Sequence, residues 1–225
     1  MPKIGIILSG CGVLDGSEIH ESVIAMLCLD QHGAAYQCMA PDKAFQVVDH
    51  RTRQLVPGET RNVLTEAARI ARGNILSLAQ VKGKEYDGFI LPGGYGAAKN
   101  LSTFATDGAH CETDPQVTRV LVEAHRAGRP IGLICIAPAV GARIFGQTLH
   151  PTLTIGYDKS TAVSLEKMGA RHSECGVHEF CVDEANRMVS TPAYMEAKTI
   201  KDVYIGINHL VERLLAMVQS PVAVG

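Results

Sequence analysis

The sequence predicts an α/β fold with helices on both faces of a mostly parallel sheet. Three observations carry this. The segments Ile4–Leu8, Tyr86–Leu91 and Ile131–Ile134 are short and largely apolar, as strands buried on both faces are. Longer segments with helical apolar spacing alternate with them. Turn-rich stretches at 9–18, 92–100 and 135–138 follow those three strands, at the sheet edge where such folds gather their ligand sites.

Taken in order, Ile4–Leu8 is the first strand. A helix is expected from about Ser17, because Asp15 and Glu18 have capping-box spacing and Ile19, Val23 and Leu27 share one face. Gly33 ends it, and Ala35–Met39 reads as a second strand. Residues 42–60 are polar and mixed, as in a short hairpin or excursion. Thr60–Ala71 reads as a helix stopped at Gly73. Pro92-Gly93-Gly94 ends the Tyr86–Leu91 strand. Val117–His125 is helical and closed by Gly128. Ile131–Ile134 is a strand, with a helix from about Ala137. Leu153–Ile155 reads as a strand and Ser160–Met168 as a helix. Phe180–Val182 and Met188–Ser190 flank a D-E-A-N turn like a hairpin. A long helix spans 196–219. One domain is expected over 1–220, with 221–225 as a loose tail.

Composition excludes several classes. Hydrophobic residues make up 46% and charged residues 20% of the chain, which is globular rather than disordered. The formal net charge is -2 with no basic stripe, so no nucleic-acid partner is expected. No apolar run is long enough to span a bilayer, so no membrane partner is expected. The nine His and seven Cys form no C-x-x-C or H-E-x-x-H pattern, so no metal is expected. No dinucleotide or P-loop fingerprint occurs, so no cofactor is expected. The odd cysteine count argues against a disulfide scaffold. That count and the apolar segment starting almost at residue 1, with no room for a presequence, lead to the expectation of a cytoplasmic protein.

Cys135 is the first candidate for chemistry. It falls between the strand Ile131–Ile134 and a helix whose first turn accommodates Pro138. A thiol there faces the unpaired amides of the helix N-terminus, which favour the thiolate. This is the logic of a nucleophile elbow. The alternative is an inert cysteine at a tight turn. Gly93 and Gly94 could turn backbone N–H groups toward a developing oxyanion, with Ile136 contributing another amide. The alternative there is a simple turn. Glu18 is the candidate acid or base, with Asp15, His20 and Glu21 close enough to compete; it could equally be a helix cap. His20, His125, His150, His172 and His178 could reach Cys135 only by folding. Cys11 is a candidate resolving thiol, and Lys99 and Asn100 could contact a substrate anion or face solvent.

The stretches KIGIILSGCGVLDGSEIHE, APDK, ETRNVLTEAARIARG, FILPGGYGAAKNLSTFA, GLICIAPA and STPAY give a more specific pointer. Across residues 3 to about 195 the chain resembles the DJ-1/PfpI superfamily of the class I glutamine-amidotransferase-like fold. More narrowly it resembles the ElbB/ES1 branch, whose bacterial members are described as glyoxalases. The resemblance implies a flavodoxin-like three-layer sandwich and a homodimer. It implies Cys135 as the elbow nucleophile, Glu18 as the acid hydrogen-bonded to it, and Gly93 and Gly94 as the oxyanion loop. It also implies a glyoxalase III-type lyase that converts a small dicarbonyl to a hydroxy acid without a cofactor, glyoxal to glycolate. Two features depart from the wider superfamily. Ile136 follows the cysteine, and Thr191-Pro192-Ala193 stands where amidotransferases carry H-P-E. Glutamine hydrolysis and peptidase activity are therefore not expected. Thr154-Ile155-Gly156 supplies no downstream histidine, so proton transfer falls to Glu18 or water. The alternative to turnover is a redox-sensing or interaction protein with an oxidisable cysteine.

Overall fold

The computed structural model describes residues 1–220. The expected tail at 221–225 lies outside the described residues. The first half runs β1 (Lys3–Ile7), α1 (Ile19–Gln31), β2 (Ala35–Ala40), β3 (Ala44–Asp49), β4 (Gln54–Asn62), α2 (Val63–Ile70), β5 (Ile75–Ser77) and β6 (Gly88–Leu91). There follow α3 (Tyr95–Lys99), α4 (Phe104–Asp107), α5 (Pro115–Arg126), β7 (Ile131–Ile134) and α6 (Pro138–Leu149). The chain then runs β8 (Thr152–Leu153), α7 (Lys159–Lys167), β9 (Arg171–His172), β10 (Cys181–Asp183), β11 (Met188–Thr191) and α8 (Ile200–Gln219).

Seven strands form the central sheet in the order β10-β11-β7-β6-β1-β2-β5, all parallel except the edge strand β10. This is the α/β sandwich the alternation predicts. From β1 the chain builds outward through β2 and β5, then returns to place β6 on the other side of β1. The strand order reverses there, so a crevice opens beyond the carboxyl ends of β1 and β6. The expected hairpin at 42–60 is β3–β4.

Side chains alternate across the sheet. Ile4, Ile6, Ile90 and Ile134 face one core with Ile24, Cys28 and Leu29 of α1 and Ile207, Leu210 and Leu214 of α8. Ile7, Phe89, Leu91 and Leu133 face the other with Val117 and Leu121 of α5 and Val140 and Phe145 of α6. Gly5 lies on this second face, where a Cβ would stand 2.5 Å from the Phe89 ring.

Several expectations need correction. Residues 60–62 belong to β4 rather than to a helix, because Ala44 and Phe45 pair with Asn62 and Arg61. Asp15 does not cap α1. Its Oδ2 accepts from Val48 N–H at 2.8 Å, tying the loop after β1 to the hairpin, and Glu18 is the N-cap. The face of α1 is also different. Ile19, Val23 and Leu27 are 42%, 47% and 45% exposed, while Ile24, Ala25, Cys28 and Leu29 are buried. The helix carries apolar residues nearly all round, so the sheet and α8 select the face that periodicity leaves ambiguous. β5 has no counterpart among the expected strands, and the long helix starts at Ile200 behind a Thr199–Asp202 capping box.

Gly5→Ala should lower stability by about 1–3 kcal/mol, because the added carbon meets an aromatic ring that is fully buried. The expected readout is a lower urea midpoint with an unchanged slope. An unaltered midpoint would mean the Phe89 ring can yield.

Candidate active site

Cys135 sits immediately after β7, with φ at +60° in the left-handed region. Its amide donates to Thr191 O at 2.9 Å, extending the β7–β11 register in which Ile134 pairs with Thr191. The next helix opens with Pro138, which gives up no hydrogen bond there. The elbow predicted from sequence is therefore present in the backbone itself.

The three turn-rich segments meet around it. Glu18 N–H donates to Gly93 O at 3.0 Å, Tyr95 N–H to Val13 O at 2.7 Å and Gly96 N–H to Gly16 O at 2.9 Å. Asn100 Nδ2 bridges Ser9 O and Asp15 O, each at 2.8 Å. Lys99 Nζ donates to Leu14 O at 3.0 Å. Asn100 and Lys99, considered above as anion contacts, instead hold the loop after β1.

Gly93 is needed for space. A Cβ there would lie 2.5 Å from Cys135 Cβ, 2.9 Å from its Sγ and 2.9 Å from Glu21 Oε2. Gly94, with φ at +89°, packs against the backbone of 16–18, where a Cβ would meet Glu18 N at 2.4 Å. The two glycines differ in function. Gly93 N–H donates to Glu21 Oε2 at 2.9 Å, so that amide is already engaged. The Gly94 and Ile136 amides lie near the Cys135 sulfur and favour its thiolate. Of the three amides expected to face an oxyanion, that of Gly93 is therefore occupied by Glu21.

The acid also differs from expectation. The carboxyl beside the sulfur is that of Glu21, not Glu18: a Cβ at Gly93 would meet Cys135 Sγ and Glu21 Oε2 at the same 2.9 Å, and the two groups shift each other's titration. Glu21 is fully buried in the first turn of α1, and Tyr194 N–H donates to its Oε1 at 3.3 Å. Glu18 Oε2 instead accepts from Glu21 N–H at 2.7 Å as the helix cap, and its side chain lines the pocket beside Cys135. One helical turn exchanges the two carboxyls.

Burial, reinforced by the neighbouring Glu18 charge, pushes the Glu21 carboxyl up to about 8. Burial and the Glu21 charge push the Cys135 thiol well above its ordinary range, against the opposing Gly94 and Ile136 amides. The helix amides, expected to favour the thiolate, are outweighed by desolvation. Near pH 7 both groups hold protons, and at higher pH Glu21 ionises first.

The pocket over Cys135 has a volume of about 430 Å³ and reaches from Cys135, Glu18 and Gly94 to Tyr95, Asp158 and Tyr194. Tyr194, which sequence reading missed, bonds His20 Nδ1 through its hydroxyl at 2.7 Å. The other candidate histidines lie elsewhere: His125 packs on Phe145, His150 bonds Gly169 O, His172 stands by Ile155 and His178 pairs with Asp202. Cys11 lines a separate pocket with Asp15 and His50. Among the described residues no cluster of three His, Cys, Asp or Glu could hold a metal ion, and no helix is long and apolar enough to cross a membrane.

A left-handed cysteine at the carboxyl edge of a parallel sheet, backed by a buried carboxyl, defines the cysteine-elbow class of α/β proteins. No family model matches the chain. It is 43% identical over 225 residues to the human glutamine amidotransferase-like class 1 domain-containing protein 3, mitochondrial, covering 96% of this chain and 83% of that protein. It is 34% identical to the zebrafish ES1 protein, mitochondrial, covering 96% of this chain and 86% of that protein. A crystal structure of an isoprenoid biosynthesis protein with amidotransferase-like domain from Ehrlichia chaffeensis superposes with a TM-score of 0.91 at 38% identity, covering 97% of this chain and 100% of that one. Drosophila melanogaster DJ-1beta, at 19% identity and a TM-score of 0.59 over 97% of this chain and 94% of that one, shares the fold. The chain belongs to the ES1 family of glutamine amidotransferase-like class 1 domain proteins. The expectation of a cytoplasmic protein is overturned, because the human, rat and zebrafish relatives are all mitochondrial. Free thiols separate reducing from oxidising compartments and cannot rank the reducing ones.

Glu21 has a folded pKa of about 8 against an ordinary 4.5, so the folded state binds this proton more tightly. The associated stability is full below about pH 4.5 and is lost as pH rises through about 8. Relative to Glu21→Gln, the native protein should lose on the order of a few kcal/mol across that window. Denaturant melts at pH 5, 7 and 9 measure this, and parallel curves for the two proteins would contradict a raised Glu21.

Proposed function

We propose that the chain is a cofactor-independent glyoxalase that converts glyoxal to glycolate through a hemithioacetal on Cys135. The observation that carries this reading is the thiol–carboxyl pair. Cys135 is held against Glu21 at the base of a pocket, with two amides at its sulfur and a second carboxyl, Glu18, in the lining. The fold is shared with DJ-1 superfamily proteins.

Ionised Glu21 takes the thiol proton as the sulfur bonds to one aldehyde carbon. The charge forming on that oxygen falls beside the Gly94 and Ile136 amides. Glu21 then returns the proton to this oxygen, which completes the hemithioacetal. Glu18 removes the proton from the sulfur-bearing carbon and delivers it to the second carbon. The proton on the first oxygen passes to the second. The product is a glycolyl thioester isomeric with the hemithioacetal. Water adds to the thioester carbonyl, the C–S bond breaks, and glycolate leaves while the sulfur regains a proton. The pair Glu18 and Glu21 thus divides the work between carbon and sulfur.

The working assembly is a homodimer in this reading. The exposed stripe Ile19, Val23 and Leu27, with exposed Tyr36 nearby in the fold, supplies an apolar surface for a second copy. Leu27→Glu should shift a dimer to monomer in sedimentation or light scattering. An unchanged mass would place the interface elsewhere.

Glycolate formation from glyoxal should be lost in Cys135→Ser and fall by roughly 10²–10⁴-fold in Glu18→Gln, with folding retained. Because Glu21 accepts the thiol proton only when ionised, kcat/KM should rise with pH through an apparent pKa near 8, which belongs to the pair. Glu21→Gln should remove that limb. Equal rates in the native protein and Cys135→Ser would sink the proposed site.

A further inference from the structure

We infer that the Cys135 site selects an uncharged 2-oxoaldehyde bearing an apolar substituent of about aryl size, of which glyoxal is only the smallest relative. This rests on the proposed chemistry and specifies its substrate.

Size comes first. Glyoxal has four non-hydrogen atoms, which even at a whole water's share of roughly 30 Å³ each occupy no more than about 120 Å³. The pocket holds about 430 Å³, so glyoxal leaves most of it empty. Ten such atoms, as in phenylglyoxal, come to about 300 Å³ on the same scale. Volumes of this order are typical of sites for substantial organic ligands.

The lining sets the chemistry of the extra volume. Val13, Phe104, Ala105, Ile136 and Met195 present carbon to the pocket. The lining is not uniformly buried. Cys135 and Glu18 are buried, whereas Val13, Tyr95, Ala105 and Asp158 of the same lining are exposed. A dicarbonyl head delivered to the sulfur therefore leaves its substituent among the apolar and aromatic side chains nearer the mouth.

Charge excludes one class. The ionisable side chains lining the pocket, apart from the thiol, are Glu18, Asp158 and the two tyrosines, with no Lys, Arg or His among them. The neighbouring basic side chains stand behind the lining and are engaged there: Lys99 bonds Leu14 O and stacks over the Tyr95 ring, and His20 bonds the Tyr194 hydroxyl. A carboxylate on the substituent would enter a pocket with two acids and no counter-charge. Anionic carbonyl compounds, including thiol adducts carrying free carboxylates, are disfavoured on that ground.

The test compares kcat/KM of the full chain for hydroxy-acid formation from glyoxal, phenylglyoxal and 4-carboxyphenylglyoxal. Phenylglyoxal should exceed glyoxal by about tenfold or more through burial of its ring. The carboxylated analogue should fall about tenfold or more below phenylglyoxal. Ala105→Arg, an exposed position at the mouth, should narrow that second ratio by about two- to fivefold by supplying a counter-charge. Turnover of glyoxal with no gain for phenylglyoxal overturns the substrate assignment alone, as does equal use of the carboxylated analogue. Failure of a folded protein to turn over any of the three overturns both the assignment and the glyoxalase chemistry beneath it.

Discussion

The backbone of Cys135 is the constraint around which the site is built. An L-residue in the left-handed region costs about 1–2 kcal/mol, so the surroundings must hold it there. They do so from both sides. The β7–β11 register fixes Thr191, whose carbonyl accepts the Cys135 amide, and the next helix starts at Pro138. The turn lifts the thiol out of the sheet and into the space that Gly93 leaves by having no side chain. The loop after β1 closes on the same point through its bonds to Gly93, Tyr95 and Gly96. Three separate strands thus end on one sulfur, and the strand order places them together.

The electrostatics follow from that packing. A carboxyl wedged between Gly93, Tyr194 and the thiol has little water to stabilise its charge, so it holds its proton to about pH 8. The thiol feels the same burial. The nearby Gly94 and Ile136 amides oppose this but do not win, because they offset only part of the lost hydration. What results is a paired acid and thiol in which the carboxyl titrates first. A glutamate three residues earlier caps the same helix and borders the pocket. Two carboxyls one turn apart thereby acquire different work from different surroundings.

Much of the fold is legible in the chain itself. The strands at β1, β6 and β7 are apolar enough to require burial on both faces, and the glycines and prolines after them mark their ends. Segments where two patterns compete are harder. Residues 60–62 carry a helical continuation but pair with β3, because a cross-strand ladder satisfies their backbone sooner than an isolated first turn. The stripe Ile19, Val23 and Leu27 has faultless helical spacing yet faces outward, since α1 offers a second apolar stripe that fits the sheet and α8.

Residues adjacent in the chain are enough to settle the elbow, the crevice and the family. Cys135 before Pro138, Gly93-Gly94 after a buried strand, and long motifs shared with the ES1 branch all rest on local backbone preference and contiguous sequence. Packing in three dimensions was needed to choose which glutamate meets the sulfur and which glycine amide that glutamate takes up. Glu18 and Glu21 lie one turn apart at the start of the same helix, and an error of that size is invisible to spacing. The choice is made by the packing of α1 against the loop after β6, where Glu21 accepts from Gly93 N–H and Glu18 is left to cap the helix. Tyr194 and His20 enter the site for the same reason, being 174 residues apart in the chain and 2.7 Å apart in space.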